Sequence, residues 1–323
     1  MATLPEKFNL RPAAWEDVQA VADLTLAVCT ADGDPQDAAQ PAELKTEWGT
    51  PGFTLGTDAW VVTDLAGRVI GYEEFFNRHA HASLQGDGYV HPEYEGQGVG
   101  TALLRALEQR AQAELASAEA DLRVFLRNVM TIEDQAGRAL HENEGYLAIR
   151  YSWSMRINLD DQPPVAQFPA GVEIRPFDEA RHLFAVYEAI EEAFADHWSH
   201  PKSDFASWKY RQLAPERYHP ELWHVAWAGE DVAGVALCRY RGGMGWVGKL
   251  GVRRPWRKQG LGMALLLHSF QEFHRRGQRT VGLGVDASNP TGATRLYERA
   301  GMYVKNEYVC YEKELRPGRD PEE

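Results

Sequence analysis

Apolar and polar positions along this 323-residue chain alternate with two periods, and the periods come in the same order twice. Phe8-Asn9-Leu10-Arg11 alternates as a strand does. Val21, Leu24 and Val28 then fall three and four apart, which predicts a helix with one buried face. Ala59-Trp60-Val61-Val62-Thr63 and Arg68-Val69-Ile70-Gly71-Tyr72 flank a polar turn and read as a hairpin. The second half repeats that hairpin at 223–227 and 232–237. Leu266, Phe270 and Phe273 then form a helical stripe, with His274, Arg275 and Arg276 at its negative end and Gly277 as its stop. A strand over 280–285, a short helix over 293–300 and strand-like residues over 303–314 follow. Each half is thus expected to be an α/β (α+β) domain, with a mixed, mostly antiparallel sheet and helices on both faces.

The repeat extends beyond pattern to residues. Val90-His91-Pro92-Glu93-Tyr94-Glu95-Gly96-Gln97-Gly98-Val99-Gly100 returns as Val252-Arg253-Arg254-Pro255-Trp256-Arg257-Lys258-Gln259-Gly260-Leu261-Gly262. Leu10-Arg11-Pro12 returns as Ile174-Arg175-Pro176, and Gly145-Tyr146 as Gly301-Met302. The offset between copies drifts slowly along the chain, as in a duplicated domain and unlike a short-period solenoid. Tyr151-Ser152-Trp153-Ser154-Met155-Arg156-Ile157 alternates like a closing strand, and Asp160-Asp161-Gln162-Pro163-Pro164 breaks it. The expected division is a first domain over 1–159, a linker over 160–171 and a second domain over 172–323.

A strand, a glycine turn and a helix start make an anion cradle, because the first N–H groups of a helix have no partner within it. Neither copy carries the Lys-Ser/Thr of a P-loop or the Gly-x-Gly-x-x-Gly of a dinucleotide fold. The net charge of −13 argues against general nucleic-acid binding. No apolar run has membrane-spanning length, and no signal-peptide core is seen. Cys29, Cys238 and Cys310 show no metal or redox spacing, which fits a cytoplasmic protein without a metal.

The second copy, Arg257-Lys258-Gln259-Gly260-Leu261-Gly262, followed by Asn289 and then Tyr297 before Gly301-Met302, resembles the GCN5-related N-acetyltransferases. The tandem layout is distantly similar to that of the mycothiol synthases. The resemblance implies acetyl-CoA as donor substrate and an amine, small-molecule or peptide, as acceptor. It implies that Gln259, Gly260, Leu261 and Gly262 hold the pyrophosphate with help from Arg257 and Lys258. It implies that Leu250-Gly251-Val252 splays from its neighbour to pair with the donor's amides. Asn289 would hold the donor or its loop, and Tyr297 would protonate the leaving thiolate. Glu192 and Asp196, with His197, lie where the acceptor cleft is usually lined, as a base or relay. Trp246 falls near where the mycothiol synthases carry a glutamate.

The first copy departs at the diagnostic places. Glu95 replaces Arg257, His141 replaces Tyr297, and Glu133-Asp134-Gln135 replaces Ser288-Asn289-Pro290. Gly96, Gln97, Gly98, Val99 and Gly100 keep the turn, so donor binding there stays open while catalysis is not expected. The leading reading is direct acetyl transfer to a primary amine in the second domain, by a monomer or homodimer. The alternatives are an acetyl-CoA sensor without transfer, acetylation of an amino-thiol precursor as in the mycothiol synthases, and an interaction scaffold.

Overall fold

The computed structural model describes residues 4–198, 203–289 and 292–321. Pro290 and Thr291, part of the second diagnostic segment, lie outside the described residues. In chain order the first stretch has β1 (Phe8–Pro12), α1 (Val18–Ala31), α2 (Pro41–Trp48), α3 (Leu55–Asp58), β2 (Ala59–Asp64), β3 (Val69–His79) and β4 (Ser83–Val90). It continues with α4 (Val99–Glu114), β5 (Val124–Thr131), α5 (Gln135–Asn143) and β6 (Leu147–Asn158). The second stretch has β7 (Val172–Arg175), α6 (Glu179–Phe194), α7 (Phe205–Gln212), β8 (Trp223–Ala228), β9 (Asp231–Arg241) and β10 (Met244–Val252). It ends with α8 (Leu261–Arg275), β11 (Thr280–Asp286), α9 (Ala293–Arg299) and β12 (Tyr303–Arg316).

Packing divides the chain into two units, one of Met1–Tyr151 with Tyr308–Glu323 and one of Ser152–Glu307. In the first unit the strand order is β1-β2-β3-β4-β5-β12. In the second, β7-β8-β9-β10-β11-β6 follows the same plan. Each sheet is antiparallel except for one parallel pair, β4 with β5 and β10 with β11. The expected mixed, mostly antiparallel sheets with flanking helices are therefore found.

The last strand of each sheet differs from the sequence expectation. Residues 303–314 were expected to close the second half, yet Tyr308 pairs with Thr131 and Arg316 with Val124 in the first unit. Residues 152–158 close the second sheet instead, with Ser152 opposite Asp286 and Asn158 opposite Thr280. Both segments alternate, so pattern alone cannot choose their sheet. Side chains make the choice: Glu312 pairs with Arg123 and Arg127, Lys313 Nζ lies 2.7 Å from Glu108 Oε1, and Val309 and Tyr311 are buried.

Residues 160–171, the expected linker, carry no helix or strand. The segment is nonetheless anchored, because Leu159 belongs to the second unit's core and Phe168 packs against it. Leu265, Leu266, Phe270 and Phe273 of α8 are fully buried in the same core. Burial of side chains this large contributes roughly 1.5–3 kcal/mol each, which fixes where α8 begins.

Candidate functional site

In the second unit, β10 pairs with β11 only at Gly245↔Val281 and Trp246↔Gly282 among the described residues. Beyond that point the register of β10 on β9 shifts between Val247 and Lys249, a bulge that turns the strand away. A cleft of about 780 Å³ opens there, walled by Leu250, Gly251 and Val252 on one side and by β11 and α9 on the other. The backbone of Leu250-Gly251-Val252 is thus available to an added strand on its cleft side, as expected.

The glycine turn closes one end of the cleft. Gly260 caps α8 at φ +88°, in left-handed territory. The first bond inside the helix is Ala264 N–H to Gly260 O, so the N–H groups of Leu261, Gly262 and Met263 precede it and line the cleft. An anion with extended arms fits this end. Gly262 is needed for another reason, since a Cβ there would lie 3.2 Å from Leu296 Cδ1, one residue before Tyr297. The turn is therefore packed against the helix that carries the phenol.

Tyr297 lines the cleft from α9, is 8% exposed, and has no hydrogen-bond partner for its hydroxyl among the described residues. Burial pushes its pKa up to about 12, so it stays protonated and can donate. Asn289 also lines the cleft, with its backbone N–H on Asp286 O at 3.1 Å. Lys258 sits at the rim at φ +60°, in a backbone region that non-glycine residues seldom occupy. Gln259 folds back, donating from Nε2 to Pro255 O at 3.0 Å, so its side chain braces the turn.

Three expected residues have other duties. Arg257 commits its guanidinium inward, to Val252 O at 3.1 Å, Asp196 Oδ2 at 2.9 Å and Ala193 O at 3.1 Å. Glu192 accepts from Arg253 Nε at 2.5 Å and from the Arg254 backbone N–H at 3.1 Å, and it does not line the cleft. Burial raises the Glu192 pKa, but Arg253 and Arg254 outweigh it and hold the carboxyl below its ordinary value. Asp196, just past the end of α6, is held low by Arg254 and Arg257 and lines the cleft. Both carboxylates are ion-paired to the turn, which corrects the expected cleft position of Glu192, whereas Asp196 lines the cleft while paired. A carboxylate whose pKa is lowered by paired guanidiniums makes a poor base.

His197 does line the cleft, and burial followed by the Lys249 charge lowers its pKa. It is therefore neutral at neutral pH. Lys249, on the bulged part of β10, stands 4.7 Å over the Phe194 ring, and burial lowers its pKa. Lys249 and Asp286 were not foreseen as cleft residues. An alternation count through β10 misses Lys249 because the bulge resets the face. Trp246 packs over Gly282 and stays outside the cleft.

The first unit repeats the geometry with other chemistry. Gly98 caps α4 at φ +87°, with Gly96 at φ +68° where Lys258 stands in the other turn. Gly100 approaches Leu140 as Gly262 approaches Leu296. Gln97 donates to Glu93 O at 3.0 Å and accepts from Lys7 Nζ at 2.8 Å. Val99 is buried and starts α4. His141 is buried on α5, with Nδ1–H donating to Gly137 O at 2.8 Å. A cleft of about 970 Å³ opens here.

Comparison with known proteins gives one picture. Residues 183–302 match the acetyltransferase (GNAT) family and residues 56–146 a GNAT acetyltransferase domain. Mycothiol acetyltransferase of Geodermatophilus obscurus is 30% identical over 299 residues, covering 88% of this chain and 90% of that one. Its counterpart in Thermomonospora curvata is 31% identical over 250 residues, covering 73% and 76%. The crystal structure of a GCN5-related N-acetyltransferase from Sphaerobacter thermophilus superposes with a TM-score of 0.84 at 39% identity, over 99% of each chain. A tandem GNAT protein from the clavulanic acid biosynthesis pathway shares the fold, with a TM-score of 0.71 at 18% identity over 97% of this chain and 100% of that one.

Proposed function

The chain belongs to the GNAT acetyltransferase family, an N-acetyltransferase using acetyl-CoA as donor, and from that premise we propose that the second unit carries the transfer, to a small-molecule primary amine. The observation that carries the reading is the meeting of three features in one cleft: open strand β10, the free N–H groups at the start of α8, and the buried phenol of Tyr297.

Acetyl-CoA supplies an activated thioester. Leu261, Gly262 and Met263 hold its pyrophosphate by their backbone N–H groups, with Lys258 adding charge at the rim. Backbone N–H groups of β10 beyond the bulge pair with the pantetheine arm and donate to the thioester oxygen. His197 accepts the proton that the amine must lose to attack. Tyr297 delivers a proton to the sulfur as the carbon–sulfur bond breaks. Arg257, Glu192 and Asp196 keep the turn and α6 in register. The first unit, with Glu95 and His141 at the corresponding positions, takes no part in the chemistry. The relatives are named for mycothiol, so an amino-thiol acceptor is the first to assay. Lys249 on β10, where no carboxylate faces the cleft, favours an acceptor that brings negative or neutral groups beside its amine.

Turnover of acetyl-CoA with a panel of amines tests this reading through one pair of variants. Tyr297→Phe removes a hydroxyl and should lower kcat by about 10²-fold or more with little change in donor affinity. His141→Phe should leave kcat within about twofold. The reverse outcome would place the active site in the first unit.

A further inference from the structure

We propose that the first unit's cleft is a second ligand site and that it takes an organic ammonium, a primary amine or polyamine, in place of an acyl donor. The proposal does not rest on catalysis in the second unit.

Three polar atoms carry it. Glu73 on β3, Asn128 on β5 and His141 on α5 all line this cleft and are 4%, 3% and 7% exposed. Glu73 Oε1, Asn128 Oδ1 and His141 Nε2 have no hydrogen-bond partner among the described residues. The Asn128 amide oxygen and the His141 ring nitrogen are acceptors, and the Glu73 carboxyl, which burial and then the Asp87 and Glu74 charges push toward its protonated form, becomes one when an ammonium beside it favours ionisation. His141 Nδ1 must carry the hydrogen it donates to the Gly137 carbonyl, so in the neutral ring Nε2 is bare. An isolated buried acceptor costs about 1–3 kcal/mol, and three in one cleft call for a ligand that donates. The parallel pairing of β4 with β5 ends at Gly86↔Asn128, so Asn128 stands where the strands part. Glu73 lies opposite Gly88 in the β3–β4 ladder, against the room that Gly86 and Gly88 leave.

Charge selects the donor's sign. Asp32, Glu73, Glu95, Glu133 and Asp134 line the cleft, and among the described residues no lysine or arginine does. The second unit's cleft has Lys249, Arg257, Lys258 and Arg299 against Asp196 and Asp286. Asp32 feels this field: burial raises its pKa, and Asp134, Glu95 and Glu133 raise it further. The carboxyls of Asp32, Glu95, Glu133 and Asp134 repel the phosphates of a CoA and attract an ammonium, which in turn favours ionisation of Glu73. Lys7 at the rim is tied to Gln97 and does not line the cleft. Pro5 also lines this cleft, with its Cδ 3.6 Å from where a Gly98 Cβ would be, whereas nothing lies within 4 Å of that point at Gly260. Among the described residues no group of three His, Cys, Asp or Glu is arranged to hold a metal ion, so an organic cation fits better than a metal.

The test is calorimetric titration of the full-length protein with spermidine at low salt, without acetyl-CoA, with N-acetylated spermidine as control. Spermidine should bind, and Glu73→Gln should weaken it about tenfold or more. The exposed pair Glu95→Gln/Glu133→Gln should weaken it several-fold, while acetyl-CoA affinity at the second unit stays unchanged in both. If Glu73→Gln does not fold, His141→Gln replaces it with the same expectation. Spermidine binding that falls with the exposed pair but not with the buried variant would mean surface charge only and overturn the site. A second acetyl-CoA per chain, lost in Gly98→Asp, would overturn the ligand class. Neither result bears on the Tyr297 test, so the two readings fail separately.

Discussion

Lys258 and Gly96 hold the same left-handed position in the two turns, at φ +60° and +68°. A side chain there costs about 1–2 kcal/mol relative to an ordinary conformation. The second unit tolerates that cost where the first uses glycine, which is the pattern of a residue kept for what its charge does. Lys258→Gly relieves the backbone but adds freedom to the unfolded chain, worth about 0.5–1 kcal/mol. Stability by urea unfolding should therefore change by less than about 1 kcal/mol. Acetyl-CoA affinity should fall roughly five- to tenfold, the effect of about one screened charge near a phosphate. Unchanged affinity would remove Lys258 from the donor site. Glu192, Asp196 and Arg257 show the limit of reading residues one at a time. Their types and order were visible, but 61 residues separate Glu192 from the Arg253 it binds. Only the fold shows that they neutralise one another.

At the scale of elements, the hairpins, the glycine turns and the helices behind them were legible because each rests on a local period or a short motif. The bulge at Gly248 and the strand exchange were not, because both depend on partners distant in sequence. The exchange has a testable consequence. Ending the chain after Glu307 removes the strand that pairs with β5 and buries Val309 and Tyr311 in the first unit. Those two side chains alone contribute roughly 3–6 kcal/mol, a large share of the 5–15 kcal/mol that holds a typical domain. Hydrogen exchange on the truncated protein should show β5 amides losing protection by orders of magnitude. Protection equal to that of the full chain would mean that the strand is dispensable. A cut at 159 would leave the first unit equally incomplete, so donor affinities of the two clefts are best compared in the whole chain.

The whole molecule has no helix, among its described residues, long and apolar enough to cross a membrane. One contribution to its response to acid comes from a buried histidine. Burial, and then His268, whose ring lies 4.6 Å away, lower the pKa of His224 to about 3. The unfolded chain, with an ordinary value near 6.5, binds the proton first. Stability from this group is therefore full above about pH 6.5 and falls as pH drops toward 3, by up to about 1.4 kcal/mol per pH unit. Urea unfolding of wild type and His224→Leu between pH 4 and 7 should differ by that slope, because buried Glu74 and Asp87, with pKa values raised to about 8 and about 6, contribute the opposite sign to both proteins. Equal slopes in the two proteins would contradict a neutral, buried His224.

The duplication was the most legible feature of the chain, and the inequality of its copies followed from Glu95 against Arg257 and His141 against Tyr297. The acidic lining of the first cleft was legible only in part, because Asp32 and Glu73 reach it through the fold. The claim that the second unit alone holds the donor meets its most direct test in acetyl-CoA calorimetry on three full-length proteins: wild type, Gly260→Asp and Gly98→Asp. Aspartate is among the side chains best able to adopt the left-handed backbone at these caps, so each variant mainly puts a carboxylate at a cradle. The account predicts one site per chain in the wild type, lost in Gly260→Asp and intact in Gly98→Asp. Binding that survives Gly260→Asp and disappears in Gly98→Asp would contradict it.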